Sequence, residues 1–117
     1  MKNECICGEN CPNYKYIDKS KLHEPTISNI QQISEMFKIF SDATRLKIIT
    51  TLLNNEFTVS ELCEKLQINQ TTLSHQLKIL RDTKLVKYKK EGKQVYYSLT
   101  DAHVEQIILQ ALDHILE

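Results

Sequence analysis

The chain has 117 residues, of which 41% are hydrophobic and 26% are charged, and its 15 basic and 15 acidic residues give a formal net charge of zero. This length allows one domain with a single core, and the composition is ordinary for a soluble globular protein. No apolar run approaches the roughly 18 residues of a membrane span, and no secretory signal is evident. We therefore expect a cytoplasmic protein with no membrane partner.

Charge is unevenly distributed along the chain. Residues 78–93 carry seven cations and two anions, whereas residues 101–117 carry four anions and neither lysine nor arginine. The basic region is suited to nucleic-acid phosphates, and the acidic region is suited to a divalent cation.

Residues 1–25 contain three of the four cysteines, both prolines and little apolar periodicity. This pattern predicts a flexible or metal-ordered N-terminal arm, followed by a folded domain over 26–117. Cys5, Cys7 and Cys11 have the spacing of a thiolate cluster, which a cytosolic chain rarely uses for disulfides. They are candidates for a second metal site, with His23 as a further ligand.

Two amphipathic helices are predicted after the arm. The first, over 28–40, has an apolar face formed by Ile30, Ile33, Met36, Phe37 and Phe40. The second is predicted from Ala43 to about Leu53, with Asp42 in position to cap it and with Leu46, Ile49 and Leu53 inward.

A helix-turn-helix is predicted over residues 58–83. Thr58 and Glu61 fit a capping box that starts a short helix ending near Leu66, and Asn69 can cap a second helix from Gln70 to about Thr83. The second helix should bury Leu73, Leu77 and Leu80. Its predicted exposed residues carry groups suited to base edges in a major groove, and they are Thr71, Thr72, Ser74, His75, Gln76 and Lys78.

Two β-prone runs, over 85–90 and 93–99, flank Glu91 and Gly92 and predict a hairpin. Appended to a helix-turn-helix, this hairpin is the wing of a winged helix, so the fold class is mainly α with a small β-hairpin. Lys89, Lys90 and Lys93 on the wing are suited to backbone phosphates. A helical hairpin with lysines can also serve as a protein-binding surface, so this pattern alone leaves that alternative open.

The C-terminal segment, residues 101–117, predicts an amphipathic helix with candidate metal ligands at both ends. His103 and His114 are three turns plus about 20° apart, so both project on one side, but about 16 Å of helix axis separates them. A Zn–N bond is about 2 Å long, so one chain cannot bring both to one ion. An antiparallel copy would place Asp101 and His103 of one chain against His114 and Glu117 of the other, which predicts a homodimer with two inter-subunit sites.

Four motifs give the sequence a close resemblance to the ArsR/SmtB family of metal-sensing repressors. They are FSDATRLKII at 40–49, SELCEKL at 60–66, LSHQLKIL at 73–80 and GKQVYYSL at 92–99, in the family's order and spacing. The resemblance covers about residues 28–117. It implies a homodimeric winged helix that binds a palindromic operator when metal-free and leaves it when metal binds, which derepresses metal-efflux or metal-resistance genes. It also implies that Asp101, His103, His114 and Glu117 match the family's zinc site.

The cysteines depart from the family pattern. Where some members carry a Cys-x-Cys pair before the recognition helix, this chain has Thr58 and Ser60, which are poor soft-metal ligands. The family's thiolate site therefore cannot be carried over. Cys63 is interpreted as a small apolar residue that packs inside.

The sequence thus predicts a metal-responsive repressor whose regulatory ion is Zn2+, with Cd2+, Co2+ or Pb2+ as other candidates. One alternative is a regulator that senses thiol oxidation in the N-terminal arm, and another is a metal-buffering protein that binds no DNA. Four protein ligands close a zinc tetrahedron without an open position, and no nucleophile–base motif or phosphate loop is present. We therefore expect neither an enzyme nor a binder of small organic ligands.

Overall fold

The computed structural model describes residues 23–117, so most of the predicted arm lies outside the described residues. The elements, in chain order, are α1 (Ile27–Phe40), α2 (Ala43–Thr51), β1 (Phe57–Thr58), α3 (Val59–Leu66), α4 (Gln70–Asp82), β2 (Val86–Glu91), β3 (Gln94–Leu99) and α5 (Ala102–Leu116). Each helix begins and ends within two residues of its predicted bounds. The winged helix-turn-helix architecture is therefore confirmed.

Side-chain caps fix where the helices begin. Thr58 and Glu61 form the predicted capping box: Thr58 N donates to Glu61 Oε1 at 2.8 Å, and Glu61 N donates to Thr58 Oγ1 at 3.2 Å. Asp42 accepts from Arg45 N at 3.0 Å, and Asn69 accepts from Thr72 N at 2.8 Å. Each cap satisfies an amide that the first helical turn would otherwise leave without a partner.

The strands form a three-stranded antiparallel sheet in the order β1-β3-β2, not a two-stranded hairpin. β1 was missed because two residues are too short to show alternation, and it pairs with β3 through Phe57↔Tyr97 and Thr58↔Tyr96. The predicted turn at Glu91 and Gly92 was wrong by one residue, since Glu91 pairs with Gln94. Gly92, with φ of +62°, begins the turn in the left-handed region that glycine adopts without strain.

The core of the described residues is entirely apolar, and every helix contributes to it. The predicted inward positions Leu73, Leu77 and Leu80 of α4 are confirmed as buried. The full set is Phe40, Ile48, Ile49, Leu52, Leu62, Leu73, Leu77, Leu80, Leu85, Val86, Leu99, Val104 and Ile108.

Two apolar helix faces lie outside this core. Ile30, Ile33 and Phe37, on the predicted apolar face of α1, are exposed, because α1 reaches the core mainly at its last turn, through the buried Phe40. The α5 stripe is divided: its first half packs against β3 and the core, whereas Leu112, Ile115 and Leu116 are exposed. Periodicity identified both faces correctly but could not say whether the same chain covers them.

Within residues 23–117, none of the helices combines the length and the hydropathy that crossing a bilayer requires.

Candidate nucleic-acid and metal-binding sites

The two helices of the predicted DNA-reading unit are joined by only three residues. Gln67 ends α3 in the left-handed conformation (φ 56°), and its backbone N–H donates to the carbonyl of Cys63. Asn69 then caps α4. Leu62 of α3 and Leu73 of α4 are fully buried in the same core, so the tight turn fixes α4 across α3.

The outer face of α4 carries most of the predicted base-reading residues. Those that are exposed are Thr71, Thr72, Ser74, His75 and Lys78. Lys78 Nζ lies 3.1 Å from Asp82 Oδ2, and both side chains are largely exposed. An exposed pair of this kind contributes little stability, so a phosphate could replace the carboxylate.

Gln76 differs from its neighbours on α4. It was predicted to be exposed, and this was wrong: the residue is half-buried. Its Oε1 accepts a hydrogen bond from Arg45 Nη1 at 3.1 Å. Sequence patterns could not reveal this partner, which lies 31 residues away in the chain.

The three wing lysines predicted to contact phosphates also have different surroundings. Lys89 Nζ lies 3.0 Å from Glu91 Oε1 and 3.4 Å from Glu56 Oε1. The hydrogen bond to Glu91 and the charge of Glu56 raise the pKa of Lys89 above its ordinary value. Lys90 and Lys93 are exposed, and neither belongs to an ion pair of the described region. Of the three lysines predicted to contact phosphates, Lys90 and Lys93 are therefore the two that are not already paired with carboxylates.

The wing is also attached to the end of α4 by aromatic contacts. The Arg81 guanidinium lies 5.3 Å from the ring centroid of Tyr88, whose ring is 5.9 Å from that of Tyr97. Sequence patterns do not reveal this role of Arg81, because alternation identifies the strands but not the helix that lies beside them. Such a cation–π contact helps to set the angle of the wing relative to α4.

The first half of the predicted metal site is held together at the start of α5. Asp101 is the N-cap, and its Oδ1 accepts from the backbone amides of His103 at 2.9 Å and Val104 at 3.3 Å. The same oxygen lies 3.6 Å from His103 Nδ1. Two atoms bound to one tetrahedral zinc at about 2.0–2.1 Å are about 3.3–3.4 Å apart, so this pair fits a shared ion after only a small adjustment. The His103 side chain is 83% exposed, which leaves it accessible to a ligand.

The second half of the predicted site lies at the other end of the helix. His114 occupies the last turn of α5, and Glu117 is its C-cap; both are exposed. Within residues 23–117, no three histidine, cysteine or acidic side chains lie close enough together to hold one metal ion. The structure thus places the four candidate ligands in two separated pairs, and hydrogen bonds to backbone amides hold the Asp101 carboxylate in place.

The cysteines fall into two groups. Cys5, Cys7 and Cys11, the predicted second metal site, lie outside the described residues. Cys63 on α3 is half-buried and packs against the core, in agreement with its interpretation as a small apolar residue.

Comparison with known proteins identifies the family. The model described as "Bacterial regulatory protein, arsR family" matches residues 42–88. The chain is also 31% identical over 112 residues to the transcriptional repressor SmtB homolog of Synechocystis sp.. These aligned residues are 96% of this chain and 85% of that relative. The chain belongs to the ArsR/SmtB family. This confirms the predicted family of metal-sensing DNA-binding repressors and the prediction that the protein is not an enzyme.

Two further similarities support membership of the ArsR/SmtB family. The cadmium resistance transcriptional regulatory protein CadC homolog of Staphylococcus aureus is 40% identical over 87 residues, which are 74% of this chain and 72% of the relative. The structure of reduced HlyU from Vibrio cholerae superposes with a TM-score of 0.67 at 35% identity, covering 76% of this chain and 92% of that chain. This chain therefore shares its fold with HlyU over about three quarters of its length.

Proposed function

We propose that this protein is a zinc-responsive repressor that acts as a homodimer. The metal-free dimer binds a palindromic operator, and Zn2+ binding between the α5 helices releases it and derepresses metal-efflux or metal-resistance genes. One observation carries the proposal: Asp101 Oδ1 and His103 Nδ1 lie 3.6 Å apart, a separation close to that of two ligands of one zinc ion, at the opposite end of α5 from His114 and Glu117.

The exposed apolar faces support a dimer. Phe37 of α1 is 53% exposed and Ile115 of α5 is 74% exposed, and both belong to apolar stripes that the described chain leaves uncovered. Burial of apolar surface stabilises by about 25 cal/mol per Å2, so covering both stripes favours association. A two-fold interface that includes antiparallel α5 helices would bring each half-site against the opposite half of the partner.

The ligand types support zinc. Two imidazoles and two carboxylates form an N2O2 set that suits Zn2+ or Co2+ in tetrahedral geometry. Bound there, the ion would supply four bonds that cross-link the two α5 helices. Cd2+ and Pb2+ remain candidates because the CadC homolog is named for cadmium resistance, and the N-terminal cysteines provide softer ligands.

The exposed face of α4 and the free wing lysines support operator binding. In a two-fold dimer, two recognition helices that enter successive major grooves must lie about 34 Å apart. Fixing the α5 helices relative to each other can change that spacing. The coupling between metal and DNA is commonly about 1–3 kcal/mol, and by reciprocity operator DNA weakens metal binding by the same factor.

Mixing two defective variants tests whether the site lies between chains. The first variant combines Asp101→Asn with His103→Ala, and the second combines His114→Ala with Glu117→Gln; each alone leaves no complete site in its homodimer. In a mixed dimer, the second variant's Asp101 and His103 face the first variant's His114 and Glu117, so one complete site returns. Random pairing gives about half mixed dimers, and bound zinc should recover to about one quarter of the wild-type level.

The readouts are zinc stoichiometry and zinc-dependent release of a labelled duplex from the DNA upstream of the protein's own gene. Recovery in the mixture, with neither variant active alone, supports the inter-subunit site. A mixture that binds no more zinc than its components would exclude it. Release at the wild-type zinc concentration by either variant alone would show that regulation uses other ligands.

A further inference from the structure

Arg45 connects three helices. Its Nε donates to the carbonyl of Ile39 in the last turn of α1 at 3.0 Å, and its Nη1 donates to Gln76 Oε1 of α4 at 3.1 Å. Its backbone N–H donates to Oδ2 of Asp42, the cap of α2, at 3.0 Å. One half-buried side chain therefore holds α4 against the corner between α1 and α2.

The positions of the two acceptors, the Ile39 carbonyl and Gln76 Oε1, explain why residue 45 is an arginine. A guanidinium offers several donors in fixed directions, so it can reach two acceptors on different helices at once. The carbonyl of Ile39 lies at the C-terminal end of α1, where the helix dipole favours a cation. Lysine, with a single ammonium on a flexible stem, would not reproduce both bonds in this geometry.

Gln76 lies on the flank of α4 and not on its outer face. At about 100° per residue, it is roughly 70° from the middle of the buried face, whereas Lys78 and His75 are roughly 130° and 170° from it. Its Oε1 is already used by Arg45. Glutamine reads adenine by using its amide oxygen and nitrogen together, whereas the Arg45 bond takes one lone pair of the Gln76 oxygen and fixes the orientation of the amide.

We propose that Arg45 and Gln76 are positioning residues for DNA recognition: their hydrogen bond sets the angle of α4 in the groove, and Gln76 reads no base. This inference rests on the proposed operator binding, and it revises the sequence prediction that Gln76 contacts DNA. Because Arg45 also holds the end of α1, the same bond fixes α4 relative to the helix whose exposed face is proposed to enter the dimer interface.

The test compares substitutions of two glutamines on the same helix. Gln76→Glu keeps an acceptor for Arg45 and should retain specific affinity within about threefold, because a carboxylate pairs with a guanidinium at least as well as an amide does. Gln70→Glu makes the same change at an exposed position in the first turn of α4 and should weaken binding at least about tenfold, through repulsion from phosphates. Gln76→Met removes the acceptor at similar volume and should weaken specific binding about tenfold, the scale of a hydrogen bond to a charged group.

Affinity is measured for the full-length dimer on a labelled duplex from the DNA upstream of its own gene and on a scrambled duplex, at several salt concentrations. Arg45→Met should weaken specific binding by the same factor as Gln76→Met without changing the salt slope, and the double substitution should be no weaker than either single one within about threefold. Circular dichroism establishes that each variant is folded.

Three outcomes would overturn the inference. Gln76→Glu could weaken specific binding as much as Gln70→Glu, which would place Gln76 against DNA. The effects of Arg45→Met and Gln76→Met could multiply in the double variant, which would show that the two residues act independently. A wild-type protein that does not distinguish the upstream duplex from the scrambled one would overturn the proposed function itself, and this inference with it.

Discussion

The hydroxyl of Thr100 donates a hydrogen bond of 2.8 Å to the carbonyl of Lys84, and the Thr100 amide donates to the carbonyl of Leu85 at 3.1 Å. Thr100 directly precedes Asp101, the cap of α5, whereas Lys84 and Leu85 follow Thr83, the C-cap of the recognition helix α4. Two hydrogen bonds of Thr100 therefore join the start of α5, where the proposed metal ligands Asp101 and His103 lie, to the segment that follows the recognition helix.

Substitution of Thr100 by valine should weaken the coupling between metal and DNA. The change removes the hydroxyl at nearly constant shape, and it should cost about 1 kcal/mol of unfolding free energy. Zinc affinity of the free dimer should stay within about threefold of wild type, while the zinc-induced loss of DNA affinity should shrink several-fold. The measurements are urea unfolding and DNA titrations with and without zinc.

Thr83→Val is the matched control, because the Thr83 hydroxyl also donates to a backbone carbonyl, that of Ile79, but within α4. It should leave the coupling unchanged. Equal coupling in Thr100→Val and wild type would show that the link between α5 and α4 runs elsewhere.

The wing lysines should contribute unequally to DNA binding. Lys90→Ala or Lys93→Ala should reduce the salt slope by roughly 0.9 for a lost phosphate contact, whereas Lys89→Ala should reduce it less, because Glu56 and Glu91 already neutralise that ammonium. Glu56→Gln should strengthen DNA binding by releasing Lys89. If Lys89→Ala gave the largest loss of the three, the ion pairs would have to open on DNA.

The raised pKa of Lys89 also predicts the pH range in which its ion pairs stabilise the fold. The folded-state pKa of Lys89 lies above the unfolded value of about 10.5. The stabilisation that its ion pairs give to the folded state is therefore fully present below pH 10 and is lost as the pH rises through the folded-state pKa. Alkaline unfolding of Lys89→Met and wild type should therefore converge at high pH. A stability difference that persists unchanged above pH 12 would indicate a packing effect of the lysine stem.

The apolar face of α1 should determine the oligomeric state. Phe37→Asp places a charge in the proposed interface and should raise the dimer dissociation constant at least about a hundredfold, as expected for burial of an unpaired charge. Tyr88→Asp is the control, because this aromatic residue on the wing is similarly exposed, at 50% against 53% for Phe37. Analytical ultracentrifugation compares the oligomeric states of the two variants. A Phe37→Asp protein that stays dimeric at micromolar concentration would show that α1 is not part of the interface.

The N-terminal cysteines should be dispensable for regulation through α5. Triple substitution of Cys5, Cys7 and Cys11 by serine should leave zinc-induced DNA release unchanged, even if total metal stoichiometry falls. Metal stoichiometry and DNA affinity are measured side by side with wild type. If peroxide releases DNA from wild type but not from the triple variant, and a chelator has no effect on either protein, the regulator would be a thiol sensor.

Prediction from sequence succeeded where the physical cause is local. Asp42, Thr58 and Asn69 cap helices through bonds that span three residues, so spacing alone revealed them. It failed where the cause is a distant partner. The half-burial of Gln76 depends on Arg45 of another helix, and β1 exists only because β3 lies beside it. The sequence also could not predict that most of the apolar face of α1 is exposed, since an apolar stripe does not indicate which surface covers it.

Asp101 is both the cap of α5 and a proposed metal ligand, which affects how metal affinity should be measured. The amides of His103 and Val104 already hold its carboxylate in place, so ordering this one ligand adds little entropy cost when an ion arrives. Most of the remaining entropy cost of metal binding is that of the association of the two chains. In the proposed dimer, apparent zinc affinity should therefore rise with protein concentration until dimerisation is complete, and titrations at nanomolar and micromolar protein should give different dissociation constants.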